Sequence, residues 1–153
     1  MRETTAFDLA SRFIGTKEIA GTASNPLVLA MLRLDNTWPD DDEVPWCSAF
    51  VNFVAWMLRL PRSKSLAARS WLQVGKAVEK ALAIPGYDVV ILQRGDGAQP
   101  GAEVISAPGH VGFFAGDDRT NVHIVGGNQN NSVSVEAFPV TRILGIRRLG
   151  SYE

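Results

Sequence analysis

The apolar residues change their repeat near Pro85, and that change limits what this chain can fold into. Before it, the spacing is helical. Phe50, Phe53, Val54, Met57 and Leu58 recur at i, i+3, i+4, i+7 and i+8, which lines one helical face. Pro61 ends that segment. Thr4 or Thr5 is placed to cap an earlier helix carrying Phe7, Leu9, Ala10, Phe13 and Ile14, ended near Gly15. A loop is expected over 21–25, and Pro26 suits the first turn of a second helix, "PLVLAMLRL". Residues 35–45 read as a polar loop. Ser65 reads as the cap of a short helix, "LAARSWLQV", stopped by Gly75. After Pro85 the runs are short and rich in Val, Ile and Phe: "YDVVILQ", "HVGFFAG", "NVHIVG", "SVSVEAF" and "RILGIRRL". "GDD" and "GNQNN" punctuate them, so they read as strands and turns. "KAVEKALAI", 76–84, has helical propensity but follows a stop signal and is left open. Helices first and consecutive strands after them predict an α+β fold. N-terminal helices pack on a C-terminal antiparallel β-sheet.

Composition sets the outer bounds. The chain has 153 residues, 46% of them hydrophobic, enough for one domain over 1–153 with its own core. The net charge of −1, with no basic stripe, argues against a nucleic-acid partner. Arg147-Arg148 reads as a solvated strand face, and "RGD" at 94–96 as a polar turn. No run approaches about 20 apolar residues, so no membrane-spanning helix is expected. "MRETTAFDLASRFIG" is interrupted by Asp8, Ser11 and Arg12 and lacks the continuous apolar stretch of a signal peptide. Synthesis in the cytoplasm is therefore expected. A single cysteine excludes an internal disulfide.

That cysteine is Cys47, in "PWCSAFVNF", at the start of the most apolar helix. The thiolate is the nucleophilic form of cysteine, and a helix N-terminus favours an anion through its unpaired N–H groups and partial positive charge. The same groups can stabilise an oxyanion. The chain has two histidines, His123 in "NVHIVG" and His110 in "PGHVGFF". Gly109 and Gly112 leave little bulk around His110. A cysteine at a helix start and a histidine on a facing strand bring base to nucleophile as a cysteine hydrolase does. A third polar group must hold the imidazole by its other nitrogen. Asn128, in "GGNQNN", is the candidate, with Gln129 as the alternative, and Asn130 and Asn131 read as turn residues.

"PWCSAFVNF", "ARSWL", "GHVGFF" and "VGGNQ", in this order, resemble the CHAP and NlpC-type cysteine peptidases and amidases. These are papain-like peptidoglycan hydrolases, and a small single-domain group from phage and bacterial genomes is most similar, including its "GTKEIAGTASNP". The resemblance implies a papain-like fold with Cys47 as nucleophile, His110 as base and Asn128 as third residue. Many CHAP enzymes carry a Glu just before that third position, where this chain has Gly126 and Gly127. "PGYDVVIL" also carries one more residue than the usual "PGD" before the first strand. The implied reaction is hydrolysis of an amide in the peptide part of the bacterial cell wall, by an endopeptidase or N-acetylmuramoyl-L-alanine amidase. A phage endolysin or a delivered antibacterial toxin fits, acting as a monomer on peptidoglycan after release by a holin or secretion machine. A non-catalytic wall-binding or assembly module, or an acyltransferase on the same residues, are the alternatives. Trp46 and Trp71 are candidates to line a substrate groove. No cofactor and no metal are expected. Some CHAP enzymes bind calcium near their Cys, but Asp40-Asp41-Asp42-Glu43 reads here as a solvated loop with helix-capping charge. Cys47, His110 and His123 lack the spacing of zinc ligands.

Overall fold

A computed structural model describes residues 2–20 and 23–151. Part of the loop expected over 21–25 lies outside the described residues. Helix α1 spans Ala6–Ser11. The Thr5 hydroxyl accepts from the Asp8 N–H, and the Asp8 carboxylate accepts from the Thr5 N–H, a reciprocal pair that closes the N-terminus. The helix stops short of Ile14, and turns carry the chain on to Gly15 at φ +99°. Helix α2 spans Pro26–Leu32, with Asn25 accepting from the Leu27 N–H as its cap. Helix α3 spans Cys47–Met57. The helix expected at "LAARSWLQV" is a 3-10 helix over Ala68–Gln73. Ser65 does not cap it. Its hydroxyl accepts from the Ala67 N–H at 3.1 Å and shapes the turn before it. The open stretch 76–84 divides into strand β1, Lys76–Ala77, and a 3-10 turn over Lys80–Leu82.

Five further strands follow: β2 Asp88–Gln93, β3 Gly109–Asp117, β4 Asn121–Gln129, β5 Ser132–Pro139 and β6 Ile143–Arg148. They join β1 in one antiparallel sheet of order β1-β6-β2-β3-β4-β5. The α+β expectation holds: helices precede the sheet in the chain and pack against it. Strand β2 is buried on both faces, which is why "DVVIL" is a continuous apolar run and not an alternating one. Val89 and Ile91 face the helices, while Val90 and Leu92 enter a second cluster with Phe114, Val122, Ile124 and Ile146. Arg148 pairs with the buried Asp88 at 2.7 Å and ties β6 to β2.

Helix α3 sits at the centre of the larger core. Phe50, Val51 and Val54 pack with Val89, Ile91, Phe113 and Val125. The Phe50 ring meets Phe13 and Phe113 edge-on, at centroid distances of 6.1 and 6.2 Å. Each such side chain contributes about 1.5–3 kcal/mol on burial, so α3 is anchored by packing more than by propensity. This anchoring brings the N-terminus of α3 against the start of β3 and the end of β4. No helix among the described residues is long and apolar enough to cross a membrane.

Candidate active site

Cys47 is the first residue of α3, after Trp46 at the N-cap. Trp46 makes no side-chain capping bond, so the first amides of the helix are not consumed by a cap. The His110 ring and the backbone N–H groups of Val111 and Ser48 lie near enough to the sulfur to favour its thiolate. Burial pushes this thiol up, because the site leaves Cys47 only 6% exposed. The His110 bond, the His110 charge and the two amides outweigh burial, and the thiol lies below its ordinary value. A buried polar network fixes the helix start. Ser48 donates to the Ser65 carbonyl at 2.6 Å and accepts from Trp71 Nε1 at 2.9 Å. Asn52, one turn on, donates to the carbonyls of Ser48 and Ser65 and accepts from the Lys64 N–H.

His110 is the second residue of β3, opposite Leu92 of β2. Its Nε2 lies 2.9 Å from Gln129 Oε1. The other end of that amide assigns the protons. Gln129 Nε2 donates to the Ser134 carbonyl at 2.9 Å and the Ile124 carbonyl at 3.3 Å, and carbonyls only accept. Oxygen therefore faces the ring, His110 Nε2 carries the hydrogen, and Nδ1 is left for Cys47. Burial pushes the ring towards neutrality, but the bonds to Cys47 and Gln129 and the Cys47 charge raise it above its ordinary value. Both directions favour a thiolate–imidazolium pair.

The side chain that meets the His110 ring is thus Gln129 and not the expected Asn128. The register of β4 against β5 shifts between Gly126 and Gln129. Asn128 sits in this bulge at φ +55°. One extra residue reverses which side chains share a face, so Gln129 and not Asn128 lies on the face of His110. The two glycines make this possible. A Cβ on Gly126 would collide with Gln129 Oε1 and lie 3.4 Å from His110 Nε2. A Cβ on Gly127 would lie 2.8 Å from both the Trp46 ring and Phe50 Cβ. Asn130 and Asn131 take left-handed conformations at φ +51° and +59°, the turn role expected of them.

Trp46 and Trp71 are also corrected. Both are 0% exposed and belong to the core, where no ligand reaches them. Trp46 Nε1 donates to Glu18 Oε1 at 2.6 Å, and Trp71 supports Ser48 as above. Phe138 is the aromatic the sequence reading missed. Its ring packs 5.3 Å from the His110 ring. On sequence it was one of several strand aromatics with nothing to single it out. The acidic run does not cap α3, which has no acid in its first turn. Asp42, 1% exposed, instead accepts from the Ile19 and Asn25 N–H groups at 2.9 and 2.7 Å and fastens two loop positions. Among the described residues no group of three or more His, Cys, Asp or Glu is arranged to hold a metal. His123 stands apart, with its Nε2 3.7 Å from Asp118 on the surface.

A cleft of 280 Å³ opens beside His110 and Gln129, lined also by Asn128 and Phe138. A larger depression of 640 Å³ at the far end of α3, by Trp56, Arg59 and Arg62, holds no nucleophile or base. The solved structure of NlpC1 from Trichomonas vaginalis superposes on 99% of this chain with a TM-score of 0.59 and 17% sequence identity. This chain has an NlpC-like fold. It spans 47% of that neighbour's length. No protein-family model and no curated protein matches the sequence. At this identity the likeness concerns the NlpC-like fold alone, and the chemistry must be argued from Cys47, His110 and Gln129 themselves.

Proposed function

We propose that the protein is a papain-like cysteine hydrolase that cleaves an amide bond in the peptide part of bacterial peptidoglycan. The observation that carries this reading is the His110 ring, held by Gln129 Oε1 2.9 Å from its Nε2 and near enough to Cys47 to lower the thiol below its ordinary value. In the first step the Cys47 thiolate attacks the amide carbonyl carbon, and the carbonyl oxygen takes the negative charge. Amides at the start of α3, which Trp46 does not cap with its side chain, are the donors assigned to that oxyanion. The His110 imidazolium then gives its Nδ1 proton to the leaving nitrogen. The C–N bond breaks, an amine departs, and a thioester to Cys47 remains. Neutral His110 next takes a proton from water, whose oxygen attacks the thioester. The acid product leaves, and the thiolate–imidazolium pair is restored. Gln129 keeps the ring in the tautomer that both proton transfers need.

A single hydrolase domain over 1–153 is part of this proposal. The peptidoglycan substrate and the endolysin-like setting, with export by a holin or a secretion machine, extend the likeness of sequence motifs. Cleavage of purified sacculi, followed by mass spectrometry of the fragments, tests the reading and names the bond. Cys47→Ala and Cys47→Ser should fold and lose cleavage, and His110→Ala should be as inactive, since members of one catalytic unit fail together. His123→Ala should retain most activity. Residual cleavage above about a tenth of wild type in either Cys47 variant rules out Cys47 as nucleophile. Iodoacetamide should label Cys47 rapidly near neutral pH, whereas slow labelling of a folded, inactive protein would favour a binding module.

A further inference from the structure

The cleft beside His110 carries two arginines that the hydrolysis scheme does not use. Arg142 and Arg94 line it, facing Gln129, Asn128 and the His110 ring. Arg142 is held in place. Its Nε and Nη2 donate to the Gln93 carbonyl at 3.2 and 3.1 Å, and its guanidinium lies 5.2 Å over the Phe138 ring. These bonds do not use Nη1. Arg94 follows directly on β2 and is exposed. Among the described residues neither guanidinium has a carboxylate within ion-pair distance. Glu136 lines the same cleft, but its Oε1 is engaged by Asn130 Nδ2 and the Ser134 hydroxyl, at 3.2 and 3.3 Å. The Cys47 thiolate offsets the His110 imidazolium, so the two arginines and Glu136 leave a single positive charge in excess. That suits one carboxylate better than a dianion such as phosphate. The planar guanidinium fork also matches a carboxylate.

Position decides which part of a substrate reaches this cleft. The cleft touches the base and not Cys47. In the scheme above the acyl part becomes bonded to sulfur, while the leaving nitrogen takes its proton from His110. The departing fragment therefore lies on the His110 side. We propose that the cleft is a carboxylate subsite, in which Arg142 and Arg94 hold a free carboxylate on the leaving fragment of a peptide substrate. The assignment to the leaving fragment rests on the hydrolase reading. Carboxylate binding itself does not.

Two measurements separate them. Isotope-labelled Cys47→Ser protein is titrated with acetyl-alanyl-glycine or its C-terminal amide, with His110, Gln129 and Arg142 followed by NMR. The free acid should bind at least about tenfold more tightly, as expected for a charge-assisted pair, and Arg142→Gln should abolish that preference. Arg94→Gln, a change at an exposed residue, should reduce it without lowering the melting temperature and serves if Arg142→Gln does not fold. Arg119→Gln is the charge control and should change nothing. In the second measurement, wild type is given native sacculi or sacculi whose carboxylates have been amidated by carbodiimide coupling. Native wall should be cut about tenfold faster, with the difference in KM and diminished in both arginine variants. Equal binding of acid and amide, or a preference that survives in the arginine variants, overturns the subsite. Cleavage indifferent to amidation overturns it also, and leaves the hydrolase standing. Selective acid binding with no cleavage by wild type overturns the hydrolase and leaves a carboxylate site.

Discussion

Gln129 is the residue whose replacement separates orientation from bond making. It touches neither sulfur nor substrate carbonyl in the proposed scheme, yet its oxygen holds His110 Nε2 at 2.9 Å. Gln129→Ala should lower turnover by about 10- to 10³-fold, less than loss of Cys47 or His110. It should also alter the pH profile in a stated direction. The acid limb reports protonation of Cys47 and the alkaline limb loss of the His110 proton. The Gln129 bond raises the His110 pKa, so its removal moves the alkaline limb to lower pH. An unmoved limb would mean the contact does not govern the ring. Asn128→Ala gives the opposite pattern. Alanine at φ +55° is strained, so stability should fall by about 1 kcal/mol while the turnover of folded protein persists. Melting curves and wall cleavage on the same preparations distinguish the two residues.

The bulge in β4 is the element that turns a strand into a site. Gly126→Ala and Gly127→Ala test it from its two sides. At Gly126 the new methyl meets the far end of the Gln129 side chain, which can swing away from His110. Folding should survive with a loss under about 1 kcal/mol, and activity should fall as in Gln129→Ala. At Gly127 the methyl meets the Trp46 ring and Phe50 at 2.8 Å, inside a packed core that cannot yield. That variant should lose about 1–3 kcal/mol in denaturant unfolding. Equal stability of the two would contradict the packing described. The 35–45 loop has its own test. Asp42 is buried with its Oδ2 taken by the Ile19 and Asn25 amides, and no group of three or more His, Cys, Asp or Glu among the described residues is arranged to hold a metal, so EDTA should leave cleavage within about twofold. Loss on chelation, restored by calcium alone, would refute this.

At the scale of the whole molecule, one buried cation links the 3-10 helix to the segment leading into β3. Arg69 is 0% exposed and donates to the carbonyls of Pro108, Pro100 and Gly101 at 3.0, 2.8 and 2.7 Å. Pro108 immediately precedes β3, so this guanidinium holds the approach to His110. Arg69→Met should leave those carbonyls without a partner and cost about 2–4 kcal/mol, read as a shift in denaturant midpoint. A change below about 0.5 kcal/mol would show that water replaces the guanidinium freely. The sequence by itself determined the helices-then-sheet order, because periods of 3.6 and 2 are written locally in "FVNFVAWML" and "SVSVEAF". It also singled out Cys47 and His110, through the sole thiol at a helix start and a histidine between glycines. Tertiary structure alone decided the rest. Trp46 and Trp71 carry no mark of burial in their own neighbourhoods, and the core took both. Nor does "GGNQNN" state its register. The bulge that chooses Gln129 over Asn128 exists because Gly127 packs on α3 and the Gln129 amide reaches Ile124 and Ser134, contacts made only once the sheet has formed.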